Sequence, residues 1–153
     1  MPRIVREAEI VWEGTTARGS GVVAAVSSGA FALPTTIASR VASDPEGKTS
    51  PEELLAAAHA ACFVTSLGSE LAHAGTPPER LEVRCTITMD EVEGVGHRIV
   101  SSAIAASGSA PGCDAAGFAQ AAEAADAGCP FSALIRASAT VTVDATLEGG
   151  ADG

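Results

Sequence analysis

Tyrosine is absent from this chain, tryptophan occurs once and aromatic residues make up only 3%. That scarcity excludes a base-stacking platform for single-stranded nucleic acid. Cations are scarce too: 9 lysines and arginines face 19 aspartates and glutamates, a formal net charge of −10. Sequence-independent nucleic-acid binding needs cations that displace counterions, so that class is excluded, as is docking on an anionic membrane surface. No apolar run approaches the roughly 18 residues of a spanning helix. The stretch from Met1 to Trp12 has cations but no apolar segment and no small-residue cleavage site, so no secretory signal is expected and the cytoplasm is the expected location. Four cysteines (Cys62, Cys85, Cys113 and Cys129) without such a signal do not suggest a disulfide framework. No C-x-x-C pair occurs, and His59 with Cys62, Cys113 and Cys129 matches no common zinc-finger spacing, so no metal is expected. Gly19 and Gly21 are followed by no lysine and no helix, which excludes a phosphate loop there.

What remains is a chain of 153 residues, 46% hydrophobic and 18% charged, expected to fold as a single domain over residues 1–153 or as one protomer of an obligate dimer. Its Gly- and Asp-rich tail, 148–153, is expected to fray. Residues 3–13 and 20–26 read as strands joined by the turn residues of 14–19, a hairpin. Residues 27–48 carry Gly29, Pro34, Asp44-Pro45 and Gly47 and read as an irregular connection, long enough to suggest a functional loop.

A helix signal follows. Ser50 suits the N-cap, Pro51 the first helical position, and Glu53 completes a capping box, while Glu52 and Glu53 complement the positive end of the dipole. The helix runs to a stop at Gly75, roughly 36 Å of almost uniformly small and apolar residues. Such a helix should be buried on most sides, by its own sheet and by a partner subunit. Residues 81–89 alternate, placing Leu81, Val83, Cys85, Ile87 and Met89 on one face of a strand. Residues 98–106 form a weaker strand signal. Asp114 opens a second helix that stops at Gly128, Cys129-Pro130 opens a third short one, and 138–147 reads as a terminal strand. The grouping predicts an α+β fold with mostly antiparallel sheet.

Cys62 lies mid-helix and Cys129 at a helix start, 67 residues further on. Free amides at a helix start stabilise a thiolate, whereas Cys62 needs a nearby cation. Residue types alone also fit small core positions for both. SPEELLAAAHAACF at 50–63, with GCP at 128–130 and APGCD at 110–114, resembles the osmotically inducible protein C / organic hydroperoxide resistance (OsmC/Ohr) family. The element order agrees from about Val11 to Leu147, and His59 and Glu53 match the OsmC branch more closely.

The resemblance implies an OsmC-like fold, an intertwined α+β homodimer with mostly antiparallel sheets around two long central helices. It implies a thiol peroxidase acting on organic hydroperoxides, with Cys62 as the attacking thiol and Cys129 as the resolving one. Glu52 and an arginine from the preceding loop complete the family's site. Arg40 matches that arginine by position, although the family is more aromatic around it, and Arg18 in the 14–19 turn is the alternative. The family's usual reductant is an external, lipoyl-type dithiol.

Glu52 and Cys62 stand ten residues apart on one helix, about 15 Å along its axis. If both serve one site, the glutamate comes from a second chain. His59, one turn before Cys62, reads either as a base for a Cys–His acyl hydrolase or as a hydrogen-bonded packing residue, and the missing orienting group favours packing. Cys113 reads as an accidental surface thiol or a backup partner, and Cys85 as inward-facing and inert. Phe63, Phe131 and Leu134 flank the two cysteines and line either an apolar pocket or the core. A dimeric protein that binds an apolar ligand without catalysis is the remaining alternative.

Overall fold

The structure is a computed structural model and describes residues 1–149. Residues 150–153 of the tail expected to fray lie outside the described residues. The chain divides into two compact units, Met1–Leu54 and the residues from Leu55 onward.

In the first unit β1 (Ala8–Glu13), β2 (Ser20–Ala25) and β3 (Ala32–Thr35) form an antiparallel sheet in chain order. The expected hairpin is there, with Trp12 opposite Gly21. A Cβ at Gly21 would lie 2.7 Å from the Trp12 ring, so the strand needs glycine where the indole crosses it. Residues 27–48, expected to be irregular, contain β3 and a one-turn helix, α1 (Ile37–Val41). Pro34 concealed β3, but the strand lies at the sheet edge, where a missing ladder donor is tolerated. Thr36 caps α1, accepting from the Ser39 amide at 3.0 Å while Ser39 Oγ accepts in return from the Thr36 amide. Among the described residues of this unit no large apolar side chain is buried, and Ile10, Val11 and Val22 stay 54%, 61% and 47% exposed.

Helix α2 (Pro51–His73) starts as the sequence predicts, with Ser50 Oγ accepting from the Glu53 amide at 3.2 Å. The return bond of the capping box is replaced: Glu53 accepts from the Thr49 hydroxyl at 2.8 Å. At the other end Gly75 adopts φ 81°, and two bonds, Gly75 N to Ala72 O and Thr76 N to Leu71 O, close a Schellman motif. Helix α2 has 23 residues, and its most apolar 18-residue stretch has a mean hydropathy of 1.4, enough by length and composition to cross a membrane, which counting apolar runs did not reveal. Its packing is that of a core helix, but not on most sides. Every fourth residue, His59, Phe63, Leu67 and Leu71, forms one buried stripe, and the other faces keep partial exposure.

In the second unit β4 (Arg80–Val92), β5 (Gly96–Ser109) and β6 (Thr140–Leu147) form a sheet in that order. β4 and β5 make an antiparallel hairpin, longer than either expected strand. β5 and β6 are parallel, joined by a crossover through α3 (Ala115–Gly128) and α4 (Pro130–Arg136). The expected α+β class with mostly antiparallel pairing holds, with this one parallel exception. The inward face of β4 runs Leu81, Val83, Cys85, Ile87 and then fails at Met89, because the register with β5 shifts between Thr88 and Met89. Phe63, Leu67 and Leu71 of α2 form one core with Ile104 and Ala106 of β5 and Phe118, Ala121, Ala122 and Ala125 of α3. That core fixes the α2 stripe and, with it, the direction in which Cys62 points.

Candidate active site

The chemistry-bearing side chains fall into two groups, one in each unit. In the first unit the Thr36 cap holds the single turn of α1 whose last turn carries Arg40. Glu52 sits in the first turn of α2. Arg40 Nε donates to both Glu52 oxygens at 3.1 and 3.2 Å and Nη2 donates to Oε1 at 2.5 Å, a forked pair with both side chains partly shielded. The hydrogen bond from Arg40 holds the Glu52 carboxyl below its ordinary range, against the opposing effect of burial, and the same bond raises Arg40. A guanidinium held this way keeps its other donors in a set direction. Arg18, the alternative, lies in the β1–β2 turn and makes none of the described ion pairs. Glu52 therefore orients Arg40, not Arg18.

In the second unit the tertiary fold brings Cys62 and Cys129 together. The Cys129 thiol donates to the Cys62 sulfur at 3.3 Å, and all four cysteines are free thiols. Cys129 is 1% exposed and serves as both the C-cap of α3 and the N-cap of α4, while Cys62 is half-buried. Burial pushes the Cys62 thiol above its ordinary range, and the Cys129 sulfur pushes it the same way. Two donors oppose them: the Phe131 backbone amide and the Ser66 hydroxyl. The position of Cys129 at the start of α4 points the free amides of that helix to its own sulfur, but the Phe131 amide of that turn faces Cys62. Ser66 was missed altogether, although its position one turn after Cys62 was a usable signal. None of these neighbours is a cation. A Cys62 thiolate at neutral pH needs one.

His59 is wholly buried on the same helix, and both ring nitrogens are engaged. Nδ1 lies 2.7 Å from Ser102 Oγ of β5 and Nε2 lies 2.8 Å from Ser132 Oγ of α4. Cys85 Sγ adjoins this cluster, 3.2 Å from Ser102 Oγ and 3.7 Å from Nδ1. Burial holds the His59 imidazole below its usual pKa, so the ring stays neutral. No ring nitrogen is left to serve Cys62 as a base. The packing alternative describes His59 correctly, and the two serines are the partners the sequence did not disclose.

The remaining residues sort by burial. Phe63 is 0% exposed and belongs to the core, Phe131 contributes its amide to Cys62, and Leu134 is 66% exposed. Cys113 donates to the Asp114 carbonyl at 3.3 Å beside the cap of α3. Among the described residues no group of three or more His, Cys, Asp or Glu is placed to hold a metal ion. The arrangement offers a thiol that can be oxidised, a second thiol within reach of it, and a guanidinium aimed by a carboxylate.

The OsmC family model, described as OsmC-like protein, matches residues 43–144. A relative from Escherichia coli (strain K12), named peroxiredoxin OsmC, is 34% identical over 138 residues, which is 90% of this chain and 94% of the relative. Among solved structures, an organic hydroperoxide resistance protein OsmC from Legionella pneumophila aligns with a TM-score of 0.74 at 20% identity, covering 95% of this chain and 99% of that one. OhrB of Bacillus subtilis, an organic hydroperoxide resistance protein, aligns at 0.69 with 20% identity, covering 92% and 98%. At such identities the solved structures establish the fold alone.

Proposed function

This chain belongs to the OsmC-like protein family, whose members include a peroxiredoxin, and from that premise we propose that it is a cysteine-based peroxidase for organic hydroperoxides. The observation that carries this reading is the 3.3 Å approach of Cys62 to Cys129 across 67 residues of chain. Cys62, as thiolate, attacks the distal peroxide oxygen. The O–O bond breaks, the alcohol leaves with a proton, and Cys62 becomes a sulfenic acid. The Cys129 thiol then displaces water from that sulfur and forms a disulfide, for which the sulfurs close from 3.3 Å to about 2.05 Å. An external dithiol, of lipoyl type, restores both thiols by exchange. The cytoplasm, where thiols are kept reduced, suits such a cycle.

Arg40 supplies the cation that Cys62 needs, and Glu52 aims it. Glu52 and Cys62 stand about 15 Å apart along α2, so the Arg40–Glu52 pair serves the Cys62 of a second protomer in a homodimer. The exposed apolar side chains of the first sheet and the half-exposed faces of α2 are surfaces that such a partner would cover. The Cys–His hydrolase has no support from His59, whose nitrogens are both taken.

The test is intact mass after one equivalent of cumene hydroperoxide. Loss of two hydrogens, mapped to a peptide joining Cys62 to Cys129, is the expected result. Thiols that survive unchanged would overturn the reading and leave a non-catalytic dimer that binds an apolar ligand.

A further inference from the structure

We propose that His59 is a positioning residue for the second chemical step: through Ser132 it fastens helix α4, and so decides how often the Cys62 sulfenic acid becomes a disulfide instead of being oxidised further. This rests on the peroxidase reading above. Helix α4 has seven residues, Pro130 in its first turn and no side-chain bond at its cap. A single turn or two of helix has little stability of its own. Yet its start carries two of the groups that meet Cys62, the Cys129 thiol and the Phe131 amide. Its far end is tied at the surface, where Arg136 reaches Asp126 of α3 at 2.6 Å. At the end next to Cys62, the Cys129 amide donates to the Asp126 carbonyl at 3.3 Å, and the side-chain tie is the His59–Ser132 bond, one turn along α4 from Cys129.

The geometry suits a clamp. His59, Ser102 and Ser132 are each 0% exposed, so no water replaces a lost partner. A neutral imidazole offers one donor and one acceptor, and a hydroxyl on each side can take either role. Ser102 anchors the ring to the central strand of the sheet, and Ser132 passes that anchorage to α4. With the bond cut, Cys129 and the Phe131 amide both drift from Cys62. The sulfenic acid then waits longer, and a second hydroperoxide converts it to sulfinic acid, releasing a second alcohol and ending turnover.

The experiment measures the partition of Cys62 between disulfide and sulfinic acid, by intact mass and peptide mapping, at a fixed excess of cumene hydroperoxide. For Ser132→Ala and His59→Gln the sulfinic-to-disulfide ratio should rise about fivefold, the order set by one buried hydrogen bond. The alcohol released in the first turnover should stay near one equivalent. Gly75→Ala, which weakens the distant end of α2, controls for general destabilisation and should leave the ratio as it is. An unchanged ratio in folded Ser132→Ala overturns the proposal, and that variant decides alone if His59→Gln fails to fold. A wild-type protein that forms neither product overturns the peroxidase reading itself.

Discussion

Burial raises the Cys62 thiol, while two neutral donors only partly offset it. A peroxidase working near neutral pH therefore depends on a charge brought to that sulfur, and Arg40 is a guanidinium whose direction the Glu52 carboxylate fixes. Arg40→Ala should move the pH midpoint of Cys62 alkylation upward by about one pH unit or more. Arg18→Ala should leave it in place. Iodoacetamide labelling mapped to the Cys62 peptide measures both, and a midpoint that follows Arg18 instead would reverse the assignment. At this scale the sequence was informative about residue types and poor about partners. The sequence narrows the arginine to two positions, and of these Arg40 is the one that forms a forked pair with Glu52. Ser102 and Ser132 carried no distinguishing signal, because a serine's role depends on what its hydroxyl meets.

Elements were most legible where local rules act alone. The start of α2 follows from Ser50 and Pro51, and its end from Gly75. At φ 81° a side chain is strained, while a Cβ at Gly75 would meet nothing within 4 Å, so the backbone term stands by itself. Gly75→Ala should cost about 1 kcal/mol, read as a lower thermal midpoint, with disulfide formation intact. No loss of stability would mean that the helix end relaxes into another turn. Strand β3 and helix α1 were not legible. A four-residue strand containing Pro34 and a one-turn helix have too little local preference to stand out, and β3 exists because β2 offers it an edge. The failure of alternation at Met89 is similar, since a register shift belongs to the pair of strands and not to one of them.

For the whole molecule, the spacing of Glu52 and Cys62 makes the quaternary state part of the proposed chemistry. Mixing unfolded Arg40→Ala and Cys62→Ser chains and refolding them together gives a direct test. If each site draws on two protomers, half of the dimers are mixed and each has one complete site, so roughly a quarter of wild-type activity should return. If Arg40 serves the Cys62 of its own chain, the mixed dimers hold no complete site and activity stays at the level of the separate variants. A chain that is fully active as a monomer by size measurement would end the shared-site scheme altogether.

The sequence by itself determined the class of fold, the extent of the long helix, the scarcity of cations and the small set of residues able to do the chemistry. These depend on composition, periodicity and capping, which act over a few residues. The meeting of Cys62 with Cys129, the pairing of Glu52 with Arg40 and the neutral, doubly bonded state of His59 were decided by tertiary structure. Each joins groups in different elements, and only the packing of those elements sets the distances.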